Sequence, residues 1–303
     1  EVLSGLRKRQ KEIPAKYFYD KRGSVLFQEI CRLGEYYIPR TEIAIMKSRI
    51  HEIAGLLGAG ILLIEYGCGD CIKTRILLDY LYQPAAFVPI DISREQLANV
   101  TAELAIDYPD LELLPLCADY TNEFSLPVAS KPSERNVVYF PGSTIGNFSP
   151  DKATDFLRRI NKICGAGGAL LIGVDLKKDN DILNRAYNDK KGVTAAFNLN
   201  LLERINRELG ADFQTGYFKH HSFYNKEEGR VEMHLISLKN QMVHLNGAGI
   251  PFAEGESIWT ESSYKYGIDK FEKMAAAAGF RIERVWTDEK KWFGVYYLVS
   301  KGK

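Results

Sequence analysis

Residues 61–75, ILLIEYGCGDCIKTR, constrain the chain more than any other stretch. An aliphatic run ends in Glu65, a glycine-rich turn follows, and Ile76, Leu77 and Tyr80 then recur at helical spacing. That order describes a buried parallel strand handing over to a helix. Gly67 and Gly69 allow backbone N–H groups in the turn to approach a ligand closely. A phosphate-cradling loop needs Gly directly before Lys73-Thr74, and Ile72 stands there. A dinucleotide fingerprint needs a third Gly at the same place, so both of these readings are poor.

What remains is an acid at a strand end followed by Gly-x-Gly, the arrangement by which class I methyltransferases hold S-adenosylmethionine (SAM). Downstream the chain alternates strand and helix, which implies a parallel sheet covered on both faces. Residues 85–91 form a second strand ending in Asp91, where a Rossmann-like domain places a carboxylate on ribose hydroxyls. Ser93 and Gln96 make a capping box for the next helix. Residues 111–117 read as a third strand, followed by Asp119 and Tyr120, a carboxylate and a ring suited to an adenine; Asp119 reads equally as the cap of a turn. A polar loop leads to a fourth strand at 136–140 and the segment PGSTIGN. Ser149 and Pro150 start a helix as N-cap and N1, and Gly165 ends it before a fifth strand at 168–175.

The rhythm then breaks. Residues 179 to about 210 have helical spacing, and residues 213–245 read as antiparallel strands, with Val231, Met233 and Leu235 alternating against Glu232 and His234. His220, His221, His234 and His244 lack carboxylate or Cys partners at ligand spacing and read as surface or hydrogen-bonded histidines. The doubly wound pattern resumes at Tyr266, with a helix closed by Gly279 and a final strand pair. Near the start, Tyr17, Phe18, Tyr19, Tyr36 and Tyr37 lie close to arginines and carboxylates, residues 23–33 have helical spacing, and Pro39 stops that helix. A longer helix runs from Thr41 with Ile43, Met46, Ile50, Ile53 and Leu57 on one face. The expected class is thus α/β: a class I SAM-dependent methyltransferase with a Rossmann-like parallel sheet (45–178 and 266–303) and an inserted α+β substrate-binding domain (1–44 and 179–265).

Composition narrows the partners. The 303 residues carry a formal net charge of +1, which provides no overall field for nucleic acid or a membrane surface. No apolar run reaches the ~18 residues that span a bilayer, and nothing near the start resembles a secretory signal. Glu1 in place of Met reads as a start slightly inside a longer chain. Five scattered cysteines suit a reducing, cytoplasmic compartment. Cys68 and Cys71 have zinc-ligand spacing, but no second pair answers them, so no metal is expected. A monomer acting on a small molecule is the expectation.

Several blocks occur together in order: FYDKRGSVLFQEICRLGEYYIPRTE, the first turn with KTR, PGSTIGNFSP, GVDLKKDNDILNRAYND, GVTAAFN and WTESSYKY. Along nearly its whole length the chain resembles the histidine-specific Nα-methyltransferases of ergothioneine biosynthesis. The resemblance implies that SAM methylates the α-amine of histidine three times, giving hercynine. It assigns Tyr36, Gly142 and Asn147 to the substrate amine and backbone, with Tyr36 and Asn147 catalytic. It assigns Tyr187 to the carboxylate, Glu261 and Ser263 to the imidazole, Tyr19 to a contact near the ring and Met233 to the side-chain pocket. The SAM contacts carried over are Gly67, Lys73, Asp91, Asp119 and Tyr120. Tyr66 and the Cys68–Cys71 turn depart from the smaller or hydroxyl residues usual in relatives. The alternative is a methyltransferase for another aromatic amino acid such as a tryptophan derivative, against which Glu261 and Met233 argue.

Overall fold

The computed structural model describes residues 1–302, which divide into two compact units: residues 1–37 with 178–264, and residues 38–177 with 265–302. The larger unit holds a seven-stranded sheet in the order Phe280–Thr287, Phe293–Ser300, Ala169–Asp175, Arg135–Phe140, Ile61–Tyr66, Ala86–Asp91, Leu116–Cys117. Only Phe293–Ser300 runs against the direction of the other six strands. Apart from Glu65 and Asp175, the buried positions of Ile61–Tyr66, Ala86–Asp91 and Ala169–Asp175 are apolar, as a sheet covered on both sides requires. In sequence order the first strand lies beside the fourth, so the order reverses between Ile61–Tyr66 and Arg135–Phe140. Ligands of open α/β sheets bind outside the carboxyl ends at such a reversal.

Five expectations need correction here. The third strand shrinks to Leu116–Cys117 with a single bridge from Leu113 to Phe87, because Pro115 has no N–H to offer the ladder. The long helix spans Ile38–Leu57 and has Pro39 inside its first turn, where a missing N–H costs nothing. Its apolar face packs on Phe293–Ser300, so residues 38–44, expected with the substrate-binding part, belong to the sheet unit. Ser93 accepts from Gln96 N, but the Gln96 side chain donates to Gly69 O (3.2 Å) instead of completing a capping box. Ser149 is an N-cap by position only, with no bond from its side chain.

The smaller unit is built on a four-stranded sheet, Lys11–Glu12, Ser257–Tyr264, Arg230–Ser237, Phe218–Asn225, with the helices Lys21–Cys31, Asn180–Ala186 and Val193–Leu209. Glu232 and His234 alternate with Val231 and Met233 as read, yet they face no solvent. Arg230 holds Glu232 (2.8 Å) and lies over the rings of Trp259 and Tyr264, and His234 stacks between Phe223 and Trp259. Among the described residues no helix is long and apolar enough to cross a membrane.

Candidate active site

In the sheet unit the turn after Ile61–Tyr66 reverses through Gly67 (φ 72°) and Gly69 (φ 54°), conformations open to glycine at little cost. Asp91 at the end of the next strand accepts Gly69 N (3.1 Å) on one oxygen and Ser93 N (2.9 Å) on the other. Its carboxylate is thereby fixed beside the turn with lone pairs remaining, which suits a pair of ribose hydroxyls. Tyr120 stacks on Tyr66 (5.6 Å, 24°) and covers Gly67, where a Cβ would stand 3.6 Å from the Tyr120 ring. A Cβ at Gly69 would meet nothing within 4 Å, so the turn opens on space beside a flat ring and an acid. These residues fit an adenosyl group. Asp119 Oδ1 accepts both the backbone N–H and the hydroxyl of Thr121, which is the turn-capping role.

Glu65 does not face that space. It is 1% exposed, and its Oε2 accepts from the Thr74 hydroxyl and from Cys71 Sγ (3.6 Å), bonds that tie strand to helix. Burial raises its carboxyl to about 8, against smaller opposing effects from Thr74 and Lys73.

Lys73, assigned above to the cofactor, has its ammonium 2.8 Å from Glu42 Oε2, and Glu42 also accepts Gly142 N on both oxygens (2.9 and 3.1 Å). Glu42 is fully buried and is the residue that sequence reasoning missed. Helical periodicity pointed to Ile43, whereas the face turned inward carries Glu42, Ile45, Met46 and Ile50. The RTE block was the signal that could have found it. Space for it comes from Gly173, where a Cβ would lie 2.1 Å from Glu42 Oε1 and 2.8 Å from the Phe293 ring. The Gly142 turn is further held by Ser143, whose φ is 59° and whose Oγ accepts Asp175 N (2.8 Å). Asn147 is half-buried at the end of the short helix Thr144–Asn147.

In the smaller unit, Tyr36, Tyr187, Met233 and Glu261 converge with Phe27 and Phe197 on one small cavity. The aromatic walls pack edge to face: Tyr36–Tyr187 at 5.8 Å, Tyr19–Phe27 at 5.6 Å, Tyr19–Phe197 at 6.0 Å. Burial, with Tyr187, Cys31 and Glu261 adding to it, holds the Tyr36 hydroxyl well above its usual range, so it stays neutral. Glu261 pairs in register with Met233 and Ser263 with Val231, so all four side chains share one sheet face. Ser263 is not alone there: the Tyr187 hydroxyl donates to its Oγ (2.8 Å). One irregularity precedes Glu261. The register slips between Trp259 and Glu261, making Thr260 the extra residue of a β-bulge, whose hydroxyl donates to Asn198 Oδ1 (2.8 Å).

The profile of the family described as histidine-specific, SAM-dependent methyltransferases matches residues 1–300. A histidine N-alpha-methyltransferase of Mycolicibacterium smegmatis is 39% identical over 99% of this chain and 94% of its own length. Ergothioneine biosynthesis protein 1 of Neurospora crassa is 29% identical over 99% of this chain, which spans 35% of that protein. A crystal structure described as a possible exported protein from Bordetella parapertussis aligns with a TM-score of 0.51 at 14% identity, covering 99% of this chain and 86% of that one, a likeness of fold alone. With a family match over nearly every residue and that identity end to end, the chain belongs to the histidine-specific, SAM-dependent methyltransferase family.

Proposed function

We propose that the protein methylates the α-amine of L-histidine three times in succession, giving hercynine, the step that belongs to ergothioneine biosynthesis. The observation that carries this reading is Glu261, a carboxylate in the wall of a cavity that is aromatic and apolar apart from it and Thr194. A carboxylate there accepts from one imidazole N–H while Ser263 serves the other ring nitrogen; a phenyl ring offers neither bond, and an indole offers one N–H but no second ring nitrogen. Bound SAM supplies a methyl group by in-line displacement, with a neutral thioether departing. The work left to the protein is positioning, so that the nitrogen lone pair lies on the methyl–sulfur axis. This reading assigns Tyr36, Asn147 and Gly142 to the amine, Tyr187 to the carboxylate and Ser263 to the second ring nitrogen. Tyr36 and Asn147 accept N–H bonds through neutral oxygens, so they orient the amine without holding it as an ammonium. It can then lose a proton before each transfer and turn as methyls replace hydrogens. Since the leaving group is neutral, no metal is required, and we take the enzyme to be a cytoplasmic monomer with no nucleic acid or membrane as partner.

The test is incubation with SAM and each of the twenty amino acids, followed by mass measurement of products one, two or three methyl groups heavier. Histidine alone should give the trimethylated product. Trimethylation of tryptophan in preference would transfer the reading to the indole alternative. Within the histidine reading, Glu261→Ala should lower kcat/KM for histidine by about 2–3 kcal/mol, since a buried polar ring loses its partner. The ratio of histidine to phenylalanine turnover should fall with it; a ratio that stays put removes Glu261 from the specificity pocket. For the cofactor, Asp91→Ala should weaken SAM binding by about 2 kcal/mol through loss of charge-assisted hydrogen bonds. Calorimetry showing an unchanged SAM affinity would rule out the ribose assignment.

A further inference from the structure

Behind the pocket wall, in the same unit, lies a hydrogen-bond circuit in which Asn198, His220 and Thr260 have no assigned role. Asn198, on Val193–Leu209, is fully buried, and its Nδ2 lies 3.0 Å from His234 O and 2.9 Å from His220 Nδ1. The other ring nitrogen, Nε2, lies 2.9 Å from Tyr187 O. Two backbone carbonyls fix the protons of the Asn198 amide and of the His220 ring. His234 O only accepts, so the Asn198 nitrogen must face it, and the same nitrogen then donates to His220 Nδ1, which has to be bare. Tyr187 O also only accepts, so Nε2 carries the hydrogen. His220 is therefore neutral and of one tautomer. The circuit closes on the pocket strand: Thr260 in the bulge donates to Asn198 Oδ1 (2.8 Å), and Tyr187 donates from its hydroxyl to Ser263 (2.8 Å). Glu261 lies between those two anchors.

We propose that His220 is a positioning residue: as the neutral Nε2–H tautomer it links Asn198 to Tyr187, and through them it fixes the bulge and the Tyr187–Ser263 pair that frame Glu261. The proposal rests on the functional reading above for what the pocket holds. A protonated ring has two donors and no acceptor, so it would turn an N–H toward the Asn198 amide nitrogen and break the link. The titratable groups acting on His220 are His221 on its own strand and Asp189, whose oxygens accept Val193 N (2.9 Å) and Thr194 N (2.8 Å). Burial holds the ring below its usual range, with the Tyr187 carbonyl and Asp189 opposing. The circuit is thus intact above the folded-state pKa and lost as pH falls through it.

The experiment compares wild type, His220→Gln and His220→Leu, using whichever amino acid the wild type methylates in the panel above. A glutamine amide presents one acceptor and one donor and does not titrate. His220→Leu should raise the amino-acid KM by about 10-fold or more, the cost of orphaning buried partners, while SAM affinity by calorimetry stays within about 2-fold. His220→Gln should keep KM within about 3-fold of wild type at pH 8, as one neutral donor–acceptor pair replaces another. The ratio of its kcat/KM to that of wild type should rise between pH 7 and 5.5; the substrate's own titration enters both enzymes alike. Nitrogen-15 imidazole shifts should report the Nε2–H tautomer for His220. A KM unmoved in His220→Leu, a ratio flat with pH, or an Nδ1–H tautomer would each overturn the proposal. If His220→Leu does not fold, the ratio and the tautomer still decide. Wild type silent on histidine but active on another amino acid would sink the histidine reading and leave this test running.

Discussion

Stability should fall as pH rises from about 4.5 to about 8, by about 4–5 kcal/mol from Glu65 alone, and Glu65→Gln should abolish that part of the slope. Its carboxyl has a higher pKa in the folded chain than in the unfolded one, so folding favours the protonated form. The contribution is fully present below the unfolded value, is lost progressively up to about 8, and is constant above that. The effect is large because Glu65 is 1% exposed and its nearest partners, Thr74 and Cys71, are neutral donors that cannot replace a full shell of water. The measurement is urea unfolding of both proteins at several pH values between 4.5 and 9. The difference between them isolates Glu65, since other groups titrate in both. Parallel curves would mean that Glu65 ionises in the folded protein as it does in water.

A loss of about 3–5 kcal/mol is expected for Lys265→Met, which leaves a buried carboxylate without its cation. Lys265 Nζ lies 2.7 Å from Asp175 Oδ2, and both side chains are fully buried. Removing both charges at once should hurt far less than removing one, because the penalty comes from the orphaned charge and not from the lost attraction. Lys265→Met with Asp175→Leu should therefore recover a large part of the unfolding free energy. A double variant no more stable than the single one would show that packing, not charge, sets the cost. The site should feel the single change too: Asp175 N donates to Ser143 in the turn that carries Gly142 and Asn147.

The elements legible in the sequence were those whose signal is local. The aliphatic run into Gly67 and Gly69, the acid ending the second strand, and Gly165 and Gly279 closing their helices each depend on neighbours within a few positions. Illegible features depend on distant partners. Glu42 looks like a charge for a solvated helix face until Gly142, a hundred residues away, supplies the N–H that makes burial tolerable. Two-residue alternation runs correctly from Glu261 to Ser263, but Thr260 breaks it, so counting backwards would have placed Trp259 in the pocket; it lies over His234 and beneath Arg230 on the opposite face. His220 read as an ordinary hydrogen-bonded histidine because its partners sit on one helix and at the end of another.

The cleft that Gly173 leaves for Glu42 also sets the order in which this core can change. Replacing a strand glycine by alanine is a common way to stiffen a protein by restricting its unfolded chain. Here the added methyl would need both Glu42 and Phe293 to give way. An engineer or a lineage can accept alanine at 173 only after position 42 has become smaller, a step that itself takes the Glu42 carboxylate from Lys73, whereas the reverse order passes through an overpacked variant.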